Sequence, residues 1–295
     1  MDRRTALQLL LAAGATGCRR AASKYAVTEP TATPQRSTAG KMPVIFLAHG
    51  SPFLLDDKRW VSELAGWAQA MPRPKSVLML SAHWLDRPIT VGATRPVPLV
   101  YDFYGFPAKY YETKYPSPPA PELAVRLRQL LPGEPVAHDD ERGLDHGAYV
   151  PLVCMYPAAE VPVLQVSLPS LEPTELFALG RALAPVRAEG VLIVGSGFLT
   201  HNLRAMSFEP DAPTPSWAAE FDAWSKDVLE RRDVDALMDY RTRAPGVRQS
   251  LPTHEHFVPV IVAMGAAIDD GGAKASFPIT GFAYGSGTRR SVQFG

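Results

Sequence analysis

The sequence predicts an α/β fold, a single domain with a central mixed, largely parallel sheet flanked by helices. Three observations predict it. Short apolar runs alternate along the chain with stretches of helical spacing. Several runs, Val44-Ile45-Phe46-Leu47-Ala48 first among them, are apolar at successive positions, so they need cover on both faces, as strands of a parallel sheet do. With 29 prolines in 295 residues, the chain is punctuated by stiff connections that suit sheet-to-helix crossovers better than a helix bundle.

Taken in order, residues 44–48 form the first buried strand and end at His49-Gly50. Residues 56–70 carry Trp60, Leu64 and Trp67 on one stripe, the spacing of an amphipathic helix. Residues 76–81 are a second buried strand, ending at Ala82-His83-Trp84, and 89–93 offer a third. Residues 96–119 are rich in Pro, Tyr, Phe and Gly and predict a long irregular segment. Helices are expected over 121–131, 147–156 and 173–189, with strands over 161–167 and 191–196. Helices over 216–229, 234–242 and 255–267 follow, and short strands near Phe277 and over 291–294 close the chain.

Residues 1–24 have a different character. Arg3-Arg4 precedes an apolar run from Ala6 to Ala13 and then small residues, the layout of a twin-arginine export signal. The run is too short to span a bilayer. Ala15-Thr16-Gly17-Cys18 resembles a lipoprotein cleavage site with Cys18 as the lipid anchor, so a periplasmic or membrane-anchored protein is expected. Residues 25–41, rich in Thr, Pro, Ser and Ala, predict a flexible tether, and the folded domain is expected over 42–295.

Composition narrows the function. Hydrophobic residues make up 46% of the chain, which excludes disorder throughout. Thirty basic residues balance thirty acidic ones, which argues against a nucleic-acid binder that works by bulk charge. Two cysteines cannot build a disulfide framework, so a metal site must draw on the seven histidines and on carboxylates. Cys154 sits in an apolar run and suits a small buried hydrophobe.

The histidines fall where chemistry is expected. His49, His83 and His201 each follow a buried strand, and ligands of open α/β sheets bind beyond the carboxyl ends of the strands. If those strands are parallel neighbours, the three imidazoles converge. His256 starts a predicted helix that needs only to reach the same edge, and His146 sits at another loop-to-helix junction. Such a cluster is a metal-site composition. A single histidine of this kind is more often an ordinary loop residue, but several such coincidences weigh against that. His138 lies in a charged stretch and is expected to be structural or exposed. Gly195-Ser196-Gly197 lacks the longer phosphate-binding patterns and predicts close backbone approach near a site. Asp145 and Asn202, adjacent to His146 and His201, are the candidates to orient those rings.

Six motifs occur in order: His49-Gly50-Ser51-Pro52, Ser81-Ala82-His83-Trp84, Asp102-Phe103-Tyr104-Gly105-Phe106-Pro107, Leu144-Asp145-His146-Gly147, Gly195-Ser196-Gly197 through Thr200-His201-Asn202-Leu203, and Pro252-Thr253-His254-Glu255-His256-Phe257. Together they resemble the DOPA 4,5-dioxygenase-type branch of the class III extradiol ring-cleavage dioxygenases, from about Met42 to the end. The resemblance implies one mononuclear divalent metal. It implies His49, His83 and His256 as the main ligands, and His201 as a fourth ligand or as the acid/base beside the metal. His146 becomes a pocket histidine that contacts the substrate hydroxyl. The resemblance further implies Fe(II) for activity, a catechol such as a DOPA-like one as substrate, and O2 as co-substrate. Protocatechuate-type relatives bind iron through two His and one Glu, whereas His256, beside Glu255, stands at the third position here. An all-histidine set also suits Zn(II). The aromatic residues from Tyr101 to Tyr111 either wall a pocket or pin a surface loop. Two other readings stay open on the same residues, a zinc-dependent hydrolase and a non-enzymatic metal-binding protein of the same fold.

Overall fold

Successive residues of a strand point to opposite faces, and that is why the strand sequences are continuously apolar. In a computed structural model of the protein, which describes residues 40–295 apart from 208, 210, 211, 272 and 273, the first strand, β1 (Val44–Ala48), is buried along its whole length. Val44 and Phe46 enter one hydrophobic core, while Ile45 and Leu47 enter another on the opposite face. Fully burying a side chain of this size stabilises by about 1.5–3 kcal/mol.

The other strands are β2 (Ser76–Leu85), β3 (Ile89–Val91), β4 (Val136–His138), β5 (Val163–Leu168), β6 (Val191–Gly197), β7 (Ala275–Ile279), β8 (Phe282–Ala283), β9 (Gly287–Thr288) and β10 (Ser291–Phe294). Eight of them form one sheet in the order β4-β3-β5-β2-β6-β1-β10-β7, and β8 pairs with β9 as a separate hairpin. The central strands β5, β2, β6 and β1 run parallel. β3 runs antiparallel to β5, and β10 antiparallel to both β1 and β7. The architecture is the expected one, a mixed and largely parallel sheet with helices on both faces.

Helices Lys58–Ala70 and His146–Met155 cover one face, with Trp60, Leu64, Tyr149 and Leu152 buried against the sheet. Helices Pro173–Leu183 and Pro259–Ala267 cover the other. These two helices touch backbone to backbone. A β-carbon on Gly180 would overlap the Val262 carbonyl, and one on Gly265 would overlap that of Phe177.

Several boundaries differ from expectation. β2 continues to Leu85, so His83 lies within the strand rather than after it. The helix expected from 255 starts at Pro259, and His254 to Val258 form a turn in which the Phe257 and Val258 N–H groups donate to the His254 carbonyl. Proline at the first helical position fixes that start. The helix expected over 173–189 ends at Leu183 and continues as a 3-10 turn over Ala184–Glu189, because Pro185 has no N–H for the α-helical ladder. The export signal with Cys18, and the tether up to residue 39, lie outside the described residues. Among the described residues, no helix is long and apolar enough to cross a membrane.

Candidate metal centre

β2, β6 and β1 are parallel neighbours, so their carboxyl ends share one edge. His49 leaves β1 there and donates its backbone N–H to Gly197 O at 3.3 Å. His83 lies near the end of β2, and His201 follows β6. His256 reaches this edge through glycine. A β-carbon on Gly197 would overlap the His256 carbonyl, and without one that carbonyl accepts the Phe198 N–H at 2.8 Å. The Gly195-Ser196-Gly197 segment is thus the close backbone approach that the sequence predicts. His146 opens the helix His146–Met155, whose first turn is capped by the Asp145 side chain at 3.1 Å from Ala148 N. Gly147 permits this approach, since a β-carbon there would lie 2.5 Å from Ser81 Oγ and 2.9 Å from His83 Cδ2.

The hydrogen bonds decide which ring nitrogens are free. His49 Nδ1 lies 2.9 Å from Ser196 Oγ, and that hydroxyl donates to Gly147 O at 2.5 Å. With its one proton so used, Ser196 accepts, and His49 carries its proton on Nδ1. His146 Nδ1 and His83 Nδ1 lie 2.7 and 3.3 Å from the two oxygens of Asp102. His256 Nδ1 lies 3.0 Å from Glu255 Oε1. A carboxylate only accepts, so the His146 and His256 rings are also Nδ1–H tautomers. His49, His146 and His256 therefore keep a lone pair on Nε2.

His49 Nε2 and His83 Nε2 are 3.1 Å apart, and with the His49 proton on Nδ1 its Nε2 lone pair faces either an Nε2–H of His83 or an ion shared by the two rings. Two nitrogens each about 2.1 Å from one ion stand about 3.0–3.4 Å apart. His256 Nε2 is buried and has no hydrogen-bond partner. Ring centroids of His49, His83 and His256 are 4.9, 5.3 and 4.8 Å apart pairwise, so the three imidazoles pack side by side. The residues present fit a divalent metal. Potential ligand atoms of His49, His83 and His146 lie within 4.8 Å of one another, as do those of His201, Glu255 and His256.

His201 stands differently. Its ring stacks on His256, centroid to centroid 3.4 Å and 12° from parallel. It lies beside the trio as a flat neighbour. Glu255 is the acceptor for His256 Nδ1, which puts that carboxylate behind the imidazole.

Burial sets the charge of the cluster. Desolvation first, and then repulsion from neighbouring imidazoles, drives the pKa of His49 and of His83 well below the ordinary value. The same causes bring His201 down to about 3. Desolvation also lowers His256, against the pull of Glu255. Burial pushes the Glu255 carboxyl up, but hydrogen bonds with His256 and Thr253 hold it at about 2. For Asp102, burial is likewise outweighed, by the hydrogen bond and charge of His146. The site at neutral pH is neutral imidazoles backed by carboxylates, the form in which histidine binds metals.

Two expected orienting residues act elsewhere. Asp145 accepts from Ser81 Oγ, Ala148 N, Gln165 Nε2 and Arg142 Nη2, and Asn202 donates to Gln249 O while capping the turn Leu203–Ala205. The groups that hold the rings are Asp102, Ser196 and Glu255. Each belongs to a motif visible in the sequence, but nothing in the sequence singles out these side chains. In the aromatic segment, Phe103 stands edge-on to His146 with centroids 5.7 Å apart, and it packs on Phe106 and Tyr111. Tyr104 is 93% exposed and contributes nothing to that wall. Cys154 is buried as expected, and burial pushes its thiol up to about 12. His138 pairs with Asp140 at 3.1 Å, away from the cluster.

Known proteins share this arrangement of chain and fold. The family described as the catalytic LigB subunit of aromatic ring-opening dioxygenase matches residues 43–294. A 4,5-DOPA dioxygenase extradiol from Beta vulgaris is 43% identical over 230 residues, covering 75% of this chain and 85% of the relative. One of the same name from Escherichia coli K12 is 37% identical over 261 residues, covering 86% and 95%. The crystal structure of an uncharacterized Escherichia coli K12 protein superposes with a TM-score of 0.75 at 35% identity, covering 86% of this chain and all of that one. Residues 43–294 include all five histidines of the cluster, and the chain belongs to the family of the catalytic LigB subunit of aromatic ring-opening dioxygenases.

Proposed function

We propose that the protein is an extradiol dioxygenase that opens the ring of a catechol with O2, using one divalent metal held by His49, His83 and His256. The observation that carries this reading is the meeting of three imidazoles on one sheet edge, with His49 and His83 Nε2 3.1 Å apart and His256 Nε2 buried without a hydrogen-bond partner. When bound, the metal supplies a Lewis-acidic centre at which the catechol oxygens and O2 are brought together, and Fe(II) is the ion that supports this with O2. Zn(II) fits the same nitrogens and is proposed as a bound but inactive ion.

The remaining residues handle protons and the ring. A catechol must give up a hydroxyl proton to chelate, and ring opening must return one. His146 takes that proton at Nε2, because its Nδ1–H is anchored on Asp102. The proton held on His146 is the one handed back at ring opening, while His201, flat against His256 and neutral, offers the substrate a hydrogen-bonding imidazole. Phe103 offers an aromatic edge beside His146 for the substrate ring. A DOPA-like catechol is the proposed substrate class, after the names of the relatives.

The test is oxygen uptake with a panel of catechols on metal-stripped protein reloaded separately with Fe(II) and Zn(II). Iron-dependent uptake with a yellow ring-opened product is expected. Stoichiometric metal binding without uptake on any catechol overturns the dioxygenase reading, and ester or amide hydrolysis with zinc then replaces it.

A further inference from the structure

Asp102 is the only residue of the segment 96–119 with a hydrogen bond to a site histidine, among the described residues. It makes two hydrogen bonds and one further polar contact. Oδ1 accepts from His146 Nδ1 at 2.7 Å and from the His146 backbone N–H at 3.1 Å, and Oδ2 lies 3.3 Å from His83 Nδ1 at ion-pair distance. Both oxygens are engaged, so the carboxylate cannot turn without releasing one ring. The two rings it holds are neighbours, with centroids 4.0 Å apart.

The same residue belongs to the aromatic segment. Its neighbour Phe103 stands against His146 and packs on Phe106 and Tyr111. The segment is pinned on one side by Val100 N–H to Leu144 O at 2.9 Å, and across itself by Tyr101 OH to Thr113 O at 2.7 Å. Between these pins, Asp102 is its polar connection to the histidines.

We propose that Asp102 is a positioning residue that links the aromatic segment to the metal ligands, so that metal loading orders residues 101–106 and the seating of that segment sets the pose of His83 and His146. The proposal rests on the metal-site reading above. The linkage is reciprocal by thermodynamic necessity. If the segment must be seated for His83 to present Nε2, then a metal that selects that pose of His83 favours the seated segment. Partners of this kind behind metal-bound histidines are worth about 10–100-fold in metal affinity.

The experiment uses the full chain and Zn(II) or Co(II) as the probe ion, and needs no turnover. In the unaltered protein, Zn(II) loading is expected to slow amide hydrogen exchange across residues 101–106. In Asp102→Asn, Zn(II) affinity is expected to fall at least tenfold and the metal-induced slowing to disappear. The visible absorption of the Co(II)-loaded variant is expected to shift, which a purely structural role would not cause. His146→Ala, which leaves the His83 contact in place, is expected to retain part of the slowing. Unchanged exchange over 101–106 on loading the unaltered protein overturns the proposal, even if the variant fails to fold. So does Asp102→Asn with affinity within twofold of the unaltered protein and the slowing intact. If the unaltered protein takes up no stoichiometric metal, the metal-site reading itself fails, and the two failures are told apart.

Discussion

The carbonyl of His256 rests on the α-carbon of Gly197, in space that a single β-carbon would fill. That contact seats the His256 turn on the end of β6. Gly197→Ala is therefore expected to push the turn outward and to move the His256 ring away from those of His49 and His83. Overpacking of this kind costs about 1–3 kcal/mol. Thermal unfolding should show that loss, and Zn(II) titration should show a weaker site. A variant with unaltered unfolding temperature and affinity would show that the turn is free to move.

Ser196 serves two neighbours at once, accepting from His49 Nδ1 and donating to Gly147 O. Ser196→Ala strands both groups in a buried place. Leaving a buried polar group unpaired costs about 1–3 kcal/mol. The expected result is a destabilised protein that also binds Zn(II) about tenfold or more weakly, as for other partners of metal-bound histidine. Equilibrium unfolding and metal titration check the two parts separately.

His201→Ala separates two roles. As a neutral imidazole that contacts the substrate beside the metal, His201 is expected to matter for turnover and not for metal binding. The variant should keep one bound metal per chain and lose oxygen uptake. Loss of the metal instead would make His201 a ligand.

Acid should unfold the metal-free protein early. His49, His83, His201 and His256 all have pKa values below the ordinary 6.5, with His201 down to about 3. The unfolded chain binds more protons than the folded one between those values and 6.5, so stability falls as pH drops through that window. Glu255, held at about 2 against an ordinary 4.5, adds a further loss as pH falls from about 4.5 to about 2. Urea midpoints of metal-free protein should decrease steadily from about pH 7 to about pH 4, and the slope should lessen in His201→Ala. A flat profile above the carboxylate range would contradict the neutral-imidazole cluster.

Phe103→Ala should act on the substrate rather than the metal. An aromatic pair is worth about 0.5–1.5 kcal/mol, which converts to a rise in KM of about two- to tenfold for catechols. Metal content should not change. Equal KM values would assign Phe103 to packing alone.

The sheet was legible because β1, β2, β5 and β6 are covered on both faces and are apolar without interruption. The histidines were legible because chain direction puts strand ends on one edge. Their partners were not. Asp145 and Asn202 flank histidines in sequence, but each lies at the start of a helical turn, where a short polar side chain turns to the backbone to cap it. Asp102 comes from an aromatic run 44 residues before His146 and Ser196 from 147 residues after His49, so only the folded chain brings them together. The start of the helix after His256 was misplaced because its apolar run extends past the proline that sets its first turn.

The order of the central strands has a consequence for how the ion is acquired. The three rings arrive from residues 49, 83 and 256, on three separate stretches of chain, and no two of them lie within one local motif. A zinc finger can be nucleated by its metal because its ligands are close in sequence. Here every ligand pair must wait for long-range closure of the sheet, a slow step for parallel topologies. An ion held by the proposed ligands would arrive after the fold and report on it. Its retention measures whether β1, β2 and β6 are side by side, and a chain nicked between them should release it before its helices melt.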